Sequence, residues 1–266
     1  MTDSVIDIAD VSKRFMIRFN PNPSIKSRFV GIFNPRYREK ATEFWALRDI
    51  ELTVRAGDSI GIIGPNGSGK STLFKLIAGV MAPTTGTIRT RGRISPLIEL
   101  GVGFHPELTG SENVYLNTSF YGITRKDTDK LFQDILEFSE IGDFINVPIK
   151  NYSSGMVMRL AFSIAIYTVP DILLVDEILA VGDAAFSEKC LAKMKAFMEE
   201  GRTFVLVSHS GPQIVEMCKR TILLWKGRII AEGPSAPVVE KYADVLSNGG
   251  PDWEGIWHPP TEKAPF

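Results

Sequence analysis

The sequence predicts an α/β protein in which buried strands alternate with helices, with a β-rich N-terminal part and a helical insert in the middle. Three observations predict it. Short apolar runs at 60–63, 172–175 and 203–207 read as buried strands of a parallel sheet. A glycine-rich loop ending in Lys-Ser-Thr follows the first run and opens a helix. Residues 97–167 carry helical patterning with few strand signals, as an insert between strands would.

The elements follow in order. Val5-Ile6-Asp7-Ile8-Ala9-Asp10-Val11 alternates apolar and polar residues, the pattern of a half-buried strand. Residues 47–54 and 58–63 form two more strands, separated by a turn at Ala56-Gly57. Leu73, Leu76, Ile77 and Val80 recur at helical spacing after the glycine-rich loop. Residues 172–175 run into Asp176-Glu177, and 203–208 run into His209. Residues 221–225 and 228–232 make a hairpin through Lys226-Gly227. Residues 247–266 hold four prolines and three glycines without a period and are expected to form an extended tail after a domain spanning 1–246.

Composition narrows the partners. The chain has 266 residues, 44% of them hydrophobic, enough for one large domain. Lys and Arg total 30 against 31 Asp and Glu, a formal charge of -1, so no global field draws nucleic acid or an acidic membrane to it. The neutral total conceals a local excess. Residues 18–40 carry Arg18, Lys26, Arg28, Arg36, Arg38 and Lys40 against Glu39, interleaved with Phe19, Phe29, Phe33 and Tyr37. Such an insertion suits a membrane interface or a solvated loop. Two cysteines, Cys190 and Cys218, are too few for a disulfide framework or a four-cysteine zinc site. No run reaches the ~18 apolar residues of a spanning helix, and the first residues do not open a signal peptide, so the chain is expected to be soluble in itself.

Gly64-Pro65-Asn66-Gly67-Ser68-Gly69-Lys70-Ser71-Thr72 fits G-x-x-x-x-G-K-[ST] at every defined position. Its glycines let backbone N–H groups converge on phosphates, the helix N-terminus adds a positive end, and Lys70 supplies a full charge to the β and γ oxygens. Ser71 is placed to ligate Mg2+ beside a bound ATP. Asp176, at a strand's carboxyl end, is expected to hold that metal directly or through water, leaving Glu177 to orient or deprotonate the attacking water. His209 reaches the same sheet edge. It either reports the γ-phosphate or is merely structural.

Tyr152-Ser153-Ser154-Gly155-Met156, followed by Arg159-Leu160-Ala161-Phe162, resembles the signature of ATP-binding cassette (ABC) proteins, with Tyr-Ser-Ser-Gly-Met in place of Leu-Ser-Gly-Gly-Gln. This form is similar to the ATPase subunits of polysaccharide exporters serving O-antigen, capsule, teichoic acid and galactan. Residues 177–190 and Val207-Ser208-His209-Ser210 with Cys218 match the same group, and the similarity spans residues 5–246. The resemblance implies a P-loop NTPase fold of the ABC nucleotide-binding type. It assigns His209 to γ-phosphate sensing, Phe15 to adenine stacking with Trp45 as the alternative, and Asp183 to a loop that crosses the dimer interface. Independently of the family, Ser153, Ser154 and Gly155 open a helix and so make a second anion cradle. In the family, ATP lies between the Lys70 loop of one copy and the Ser154 helix of the other, so Ser153, Ser154 and Gly155 act in trans.

The sequence departs from the family where most ABC ATPases carry a glutamine. Only Glu99 is available in 97–101, and an ionised carboxylate can ligate magnesium but cannot donate a hydrogen bond. The resemblance further implies a homodimer bound to two copies of a separate transmembrane permease at the cytoplasmic face of the cell membrane. Its cargo would be a lipid-linked polysaccharide, met only indirectly. The competing readings are an exporter ATPase for a drug or small lipid, and a non-transport ABC ATPase. The Tyr-Ser-Ser-Gly-Met form and the Gly182-Asp183-Ala184-Ala185-Phe186 segment argue for the polysaccharide group.

Overall fold

The computed structural model describes residues 4–19, 40–97, 103–176 and 183–251. Glu99, Glu177, residues 20–39 of the basic insertion and residues 252–266 of the tail lie outside the described residues.

Strand β3 (Ser59–Ile63) is buried at every position because it runs through the middle of a sheet covered on both faces. That sheet has the order β5-β6-β7-β3-β8-β9, with β5 at Ile94–Leu97, β6 at Ile172–Asp176, β7 at Thr203–Ser208, β8 at Arg220–Trp225 and β9 at Arg228–Pro234. All neighbours are parallel except β8 and β9, the predicted hairpin. The strand period of two sorts side chains between two cores. Leu173, Val175, Phe204 and Leu206 face one core, whereas Ile172, Leu174, Val205 and Val207 face the other.

The first core is closed by helices. These are α4 (Ser154–Tyr167), α5 (Ala184–Glu199), α6 (Gly211–Met217) and α7 (Ser235–Asn248). The second is closed by α1 (Lys70–Ile77) and by a three-stranded antiparallel sheet of order β2-β1-β4. In it β1 spans Ser4–Phe19, β2 spans Lys40–Arg55 and β4 spans Thr85–Thr90. β1 and β2 are longer than the alternation predicts and remain paired out to Phe19 and Lys40, so the basic insertion is the connection of a hairpin.

Sequence reasoning missed β4 and β5. β4 (TGTIRT) is almost wholly exposed and shows no apolar alternation, and it is held by pairing with β1. β5 contains Pro96, which an edge strand tolerates because one side of its backbone needs no partner. The predicted helical insert is present. α2 (Gly110–Phe120) and α3 (Arg125–Ser139) pack with α4 around Val114, Ile135, Leu160 and Ile164. Thr109 and Glu112 begin α2 with a reciprocal capping box. At the other end of the chain α7 continues to Asn248, slightly beyond the expected start of the tail.

Candidate nucleotide site

The loop between β3 and α1 owes its course to its glycines. A Cβ on Gly64 would lie 2.2 Å from the Leu224 carbonyl oxygen, and one on Gly69 would lie 2.7 Å from that of Ala46. Gly69 also has φ +106°, which a side chain rarely tolerates. Gly67 has nothing within 4 Å of its absent Cβ, so what calls for glycine there is its left-handed φ of +79°. Lys70 is buried, and its ammonium group donates to the Gly64 and Pro65 carbonyls at 2.8 and 3.1 Å. It thus spans the loop from the position where an anion would replace those carbonyls as its partner. The buried Ser68 hydroxyl has no hydrogen-bond partner among the described residues.

A cleft of about 390 Å3 opens beside this loop, lined by Phe44, Ala46, Asn66, Gly67, Gly69, Lys70, Ser71, Thr72 and Asp176. Half-buried Asp176 enters it from the end of β6, and exposed Ser71 from the first turn of α1. One ammonium, a hydroxyl and a carboxylate therefore converge on one space at a helix N-terminus, a donor set that fits a phosphate chain with a divalent metal.

Phe44 and Ala46 were missed by sequence reasoning. Both lie on β2, but the register shifts between the Lys13–Leu47 and Arg14–Trp45 pairs and leaves Ala46 at a bulge, so strand alternation alone does not reveal them. Phe44 lies directly opposite Phe15 across the β1–β2 ladder. Trp45, between Phe44 and Ala46, does not line the cleft, and its ring lies under the guanidinium groups of Arg14 and Arg48 at 5.6 and 5.2 Å. Phe15 does not line the cleft either; it is half-buried beside Phe44, with the Lys13 ammonium 5.4 Å from its ring centre.

The turn of the β8–β9 hairpin braces the loop from below. The Gly227 N–H donates to the Ser68 carbonyl at 2.9 Å, and the Gly227 carbonyl accepts from the Arg48 N–H at 2.8 Å. Arg228 pairs with Asp49 at 2.7 Å. One turn thus joins the phosphate loop to the strand that supplies Phe44 and Ala46.

His209 is exposed immediately after β7, at the carboxyl edge of the sheet. Ser208 beneath it is buried, accepts from the Ser210 N–H at 3.0 Å and lies 2.8 Å from Gln213 Oε1. Ser153 caps α4 by accepting from the Met156 N–H at 3.2 Å, while Ser154 is exposed. Gly155 needs no bareness for its own chain, since a Cβ there would meet only Ser153 Oγ at 3.8 Å. None of these three lines the cleft at Lys70. The start of α4 and the cleft at Lys70 are thus separate places on the chain. Asp183 caps α5 by accepting from the Phe186 N–H at 2.9 Å and pairs with Arg159 of α4 at 2.6 Å, so its carboxylate is engaged within its own chain. Glu177 and Glu99, the remaining expected site residues, lie outside the described residues.

Comparisons with known proteins give the family. Residues 47–180 match the family model described as ABC transporter. The chain is 46% identical over 250 residues to the ABC transporter protein AbcA of Aeromonas salmonicida, covering 94% of this chain and 79% of that protein. It is 40% identical over 246 residues to the O-antigen export system ATP-binding protein RfbB of Klebsiella pneumoniae, covering 91% and 99%. It is 44% identical over 241 residues to the teichoic acids export ATP-binding protein TagH of Listeria monocytogenes, covering 91% and 70%. Among solved structures, an ATP-binding subunit of an ABC transporter superposes with a TM-score of 0.70 at 20% identity, covering 90% and 93%. A dimeric ATP-binding cassette holding ADP and phosphate gives 0.65 at 23% identity, covering 86% and 98%.

Proposed function

This chain belongs to the ABC transporter ATPase family, and from that premise we propose that it is the ATP-hydrolysing subunit of an exporter for a lipid-linked polysaccharide. The reading of the cargo draws on the relatives that are named for O-antigen and teichoic acid export.

The observation that carries the mechanism is the separation of the two cradles. Lys70, Ser71 and Asp176 line one cleft, and Ser153, Ser154 and Gly155 open a helix outside it. A second copy docked head to tail brings its Ser154 helix onto the nucleotide held by the first. Bound Mg2+, for which Ser71 and Asp176 are the available donors, would neutralise charge on the β- and γ-phosphates. Lys70 releases its two loop carbonyls and binds the phosphate oxygens. Glu177 orients a water in line with the γ-phosphorus and accepts its proton. The new P–O bond forms as the bond to the β–γ bridging oxygen breaks, giving ADP and phosphate. His209 contacts the γ-phosphate, and Phe15, extended by Phe44, stacks on adenine.

A homodimer bound to two copies of a separate permease at the cytoplasmic face of the cell membrane completes the assembly. Among the described residues no helix is long and apolar enough to cross a membrane. The basic aromatic insertion would then sit near the lipid headgroups close to the point where the cargo enters, and Glu99 would take the place of the family's glutamine as a further ligand for the metal.

The test is genetic and chemical together. Deleting the gene is expected to remove a surface polysaccharide and leave its lipid-linked form inside the cell. The wild-type chain restores export, whereas Lys70→Ala does not. Unchanged surface polysaccharide in the deletion would overturn the cargo, and full rescue by Lys70→Ala would overturn the ATP requirement.

A further inference from the structure

Arg159 lies on α4 one turn beyond Gly155, and its guanidinium group joins three elements. Nη1 donates to Glu140 Oε2 at 2.9 Å, Nη2 donates to Asp183 Oδ2 at 2.6 Å, and the group lies over the Phe186 ring at 4.7 Å. Glu140 terminates α3, with φ +55°, and also accepts from Lys189 of α5 at 2.8 Å. Lys189 in turn donates to the Phe138 carbonyl at 3.0 Å. The end of α3, the start of α4 and the start of α5 therefore share one charged lattice.

The lattice is asymmetric in its exposure. The Arg159 side chain is 19% exposed, whereas that of Asp183 is 62% exposed. The guanidinium is the buried hub, and Asp183 is its arm toward the surface. The Phe186 N–H first, and Arg159 after it, hold the Asp183 carboxyl below the usual carboxylate range, so the arm stays ionised. In sequence, Asp183 follows Glu177 after five residues, while Ser153, Ser154 and Gly155 stand four to six residues before Arg159. The hub thus lies between the groups that one copy gives to two different nucleotides.

We propose that Arg159 is a positioning residue that couples the two ATP sites of the dimer. It locks the helix carrying Ser154 to Asp183, the point at which the segment bearing Glu177 enters α5. This rests on the reading that Ser154 meets the partner's nucleotide. When that nucleotide draws on the Ser154 helix, Arg159 carries the displacement to the downstream end of the Glu177 segment, so one site senses the state of the other.

A double-mutant cycle in the full-length chain tests it. Asp183→Asn removes the charge but keeps the cap, because asparagine caps a helix about as well as aspartate. Arg159→Gln removes the hub. Each single variant is expected to lower kcat roughly tenfold and to bring the Hill coefficient for ATP toward one, with affinity of the dilute monomer for a non-hydrolysable ATP analogue within about twofold of wild type. The double variant is expected to fall no further than the worse single. Arg159→Lys is expected to restore the thermal midpoint but not kcat, because an ammonium cannot bridge two carboxylates while stacking on Phe186. Multiplicative losses in the double variant, recovery of kcat by lysine, or an affinity that falls in step with kcat would overturn the coupling. The in-trans reading fails separately, when Ser154→Ala leaves hydrolysis and dimerisation untouched. Failure of the coupling alone leaves Ser154 sensitive and Arg159 silent.

Discussion

Gly227→Ala perturbs the turn that braces the phosphate loop. Gly227 has φ +80°, and a left-handed backbone costs an alanine about 1 kcal/mol. Its Cβ would lie 2.8 Å from the Ala46 carbonyl oxygen, closer than any real Cβ contact, so the turn or β2 must move. Such a shift opens the 2.9 Å bond to the Ser68 carbonyl, worth about 1 kcal/mol. The total is about 2 kcal/mol, and both walls that move belong to the nucleotide cleft. Gly201→Ala serves as the control. Gly201 has φ +76° but nothing within 4 Å of its Cβ, so it carries the backbone cost alone. Denaturant titration of both variants should show Gly227→Ala losing about 1 kcal/mol more than Gly201→Ala. Equilibrium ATP binding should weaken severalfold for Gly227→Ala and remain at the wild-type level for Gly201→Ala. Equal stability losses with unchanged ATP affinity in both would refute the brace.

Ser153→Ala removes the α4 cap and should cost about 1 kcal/mol in denaturant titration, with Ser153→Asn recovering most of it; no loss would show that the cap is already replaced by solvent. Replacing residues 20–39 by a two-residue Asn-Gly turn should preserve the fold, because Phe19 already pairs with Lys40. Shortening the loop tenfold should add up to ~2 kcal/mol of stability through closure entropy. Loss of vesicle binding to anionic lipid with retained ATP hydrolysis supports the membrane role of the insertion, and unchanged binding contradicts it. Burial pushes the thiols of Cys190 and Cys218 up to about 12, and Tyr152 likewise to about 12. The unfolded chain releases these protons from about pH 9 upward while the folded chain keeps them, so stability should fall as pH rises from about 9 toward 12. Native protein at pH 8 should also resist thiol reagents at both cysteines; rapid labelling, or stability that is flat above pH 9, would contradict their burial.

The glycine-rich loop and Asp176, which the cleft brings together, were legible because their geometry is local. The Lys70 loop needs glycine where a Cβ would strike Leu224 and Ala46, and it needs its lysine and serine at fixed steps beyond, so the constraint is written in consecutive residues. Asp176 was legible for a similar reason, since a run of buried residues can end in a carboxylate only where the sheet stops. What could not be read depends on pairing across long separations. Phe44 lines the cleft because β1 and β2 pair continuously again beyond a bulge, and β4 exists because β1 offers it an edge. Gly227 is nearly 160 residues from Ser68, and nothing in Lys226-Gly227 distinguishes it from an ordinary hairpin turn. Arg159 illustrates the same limit from the other side. As part of the signature it reads as one more helix residue, and only the meeting of α3, α4 and α5 turns it into a bridge between Glu140 and Asp183. The loop residues that line the cleft are therefore set by sequence-local geometry. Contacts such as those of Arg159 with Glu140 and Asp183 belong to the tertiary fold, so the coupling proposed for this arginine could be sought only once three helices had been seen to meet.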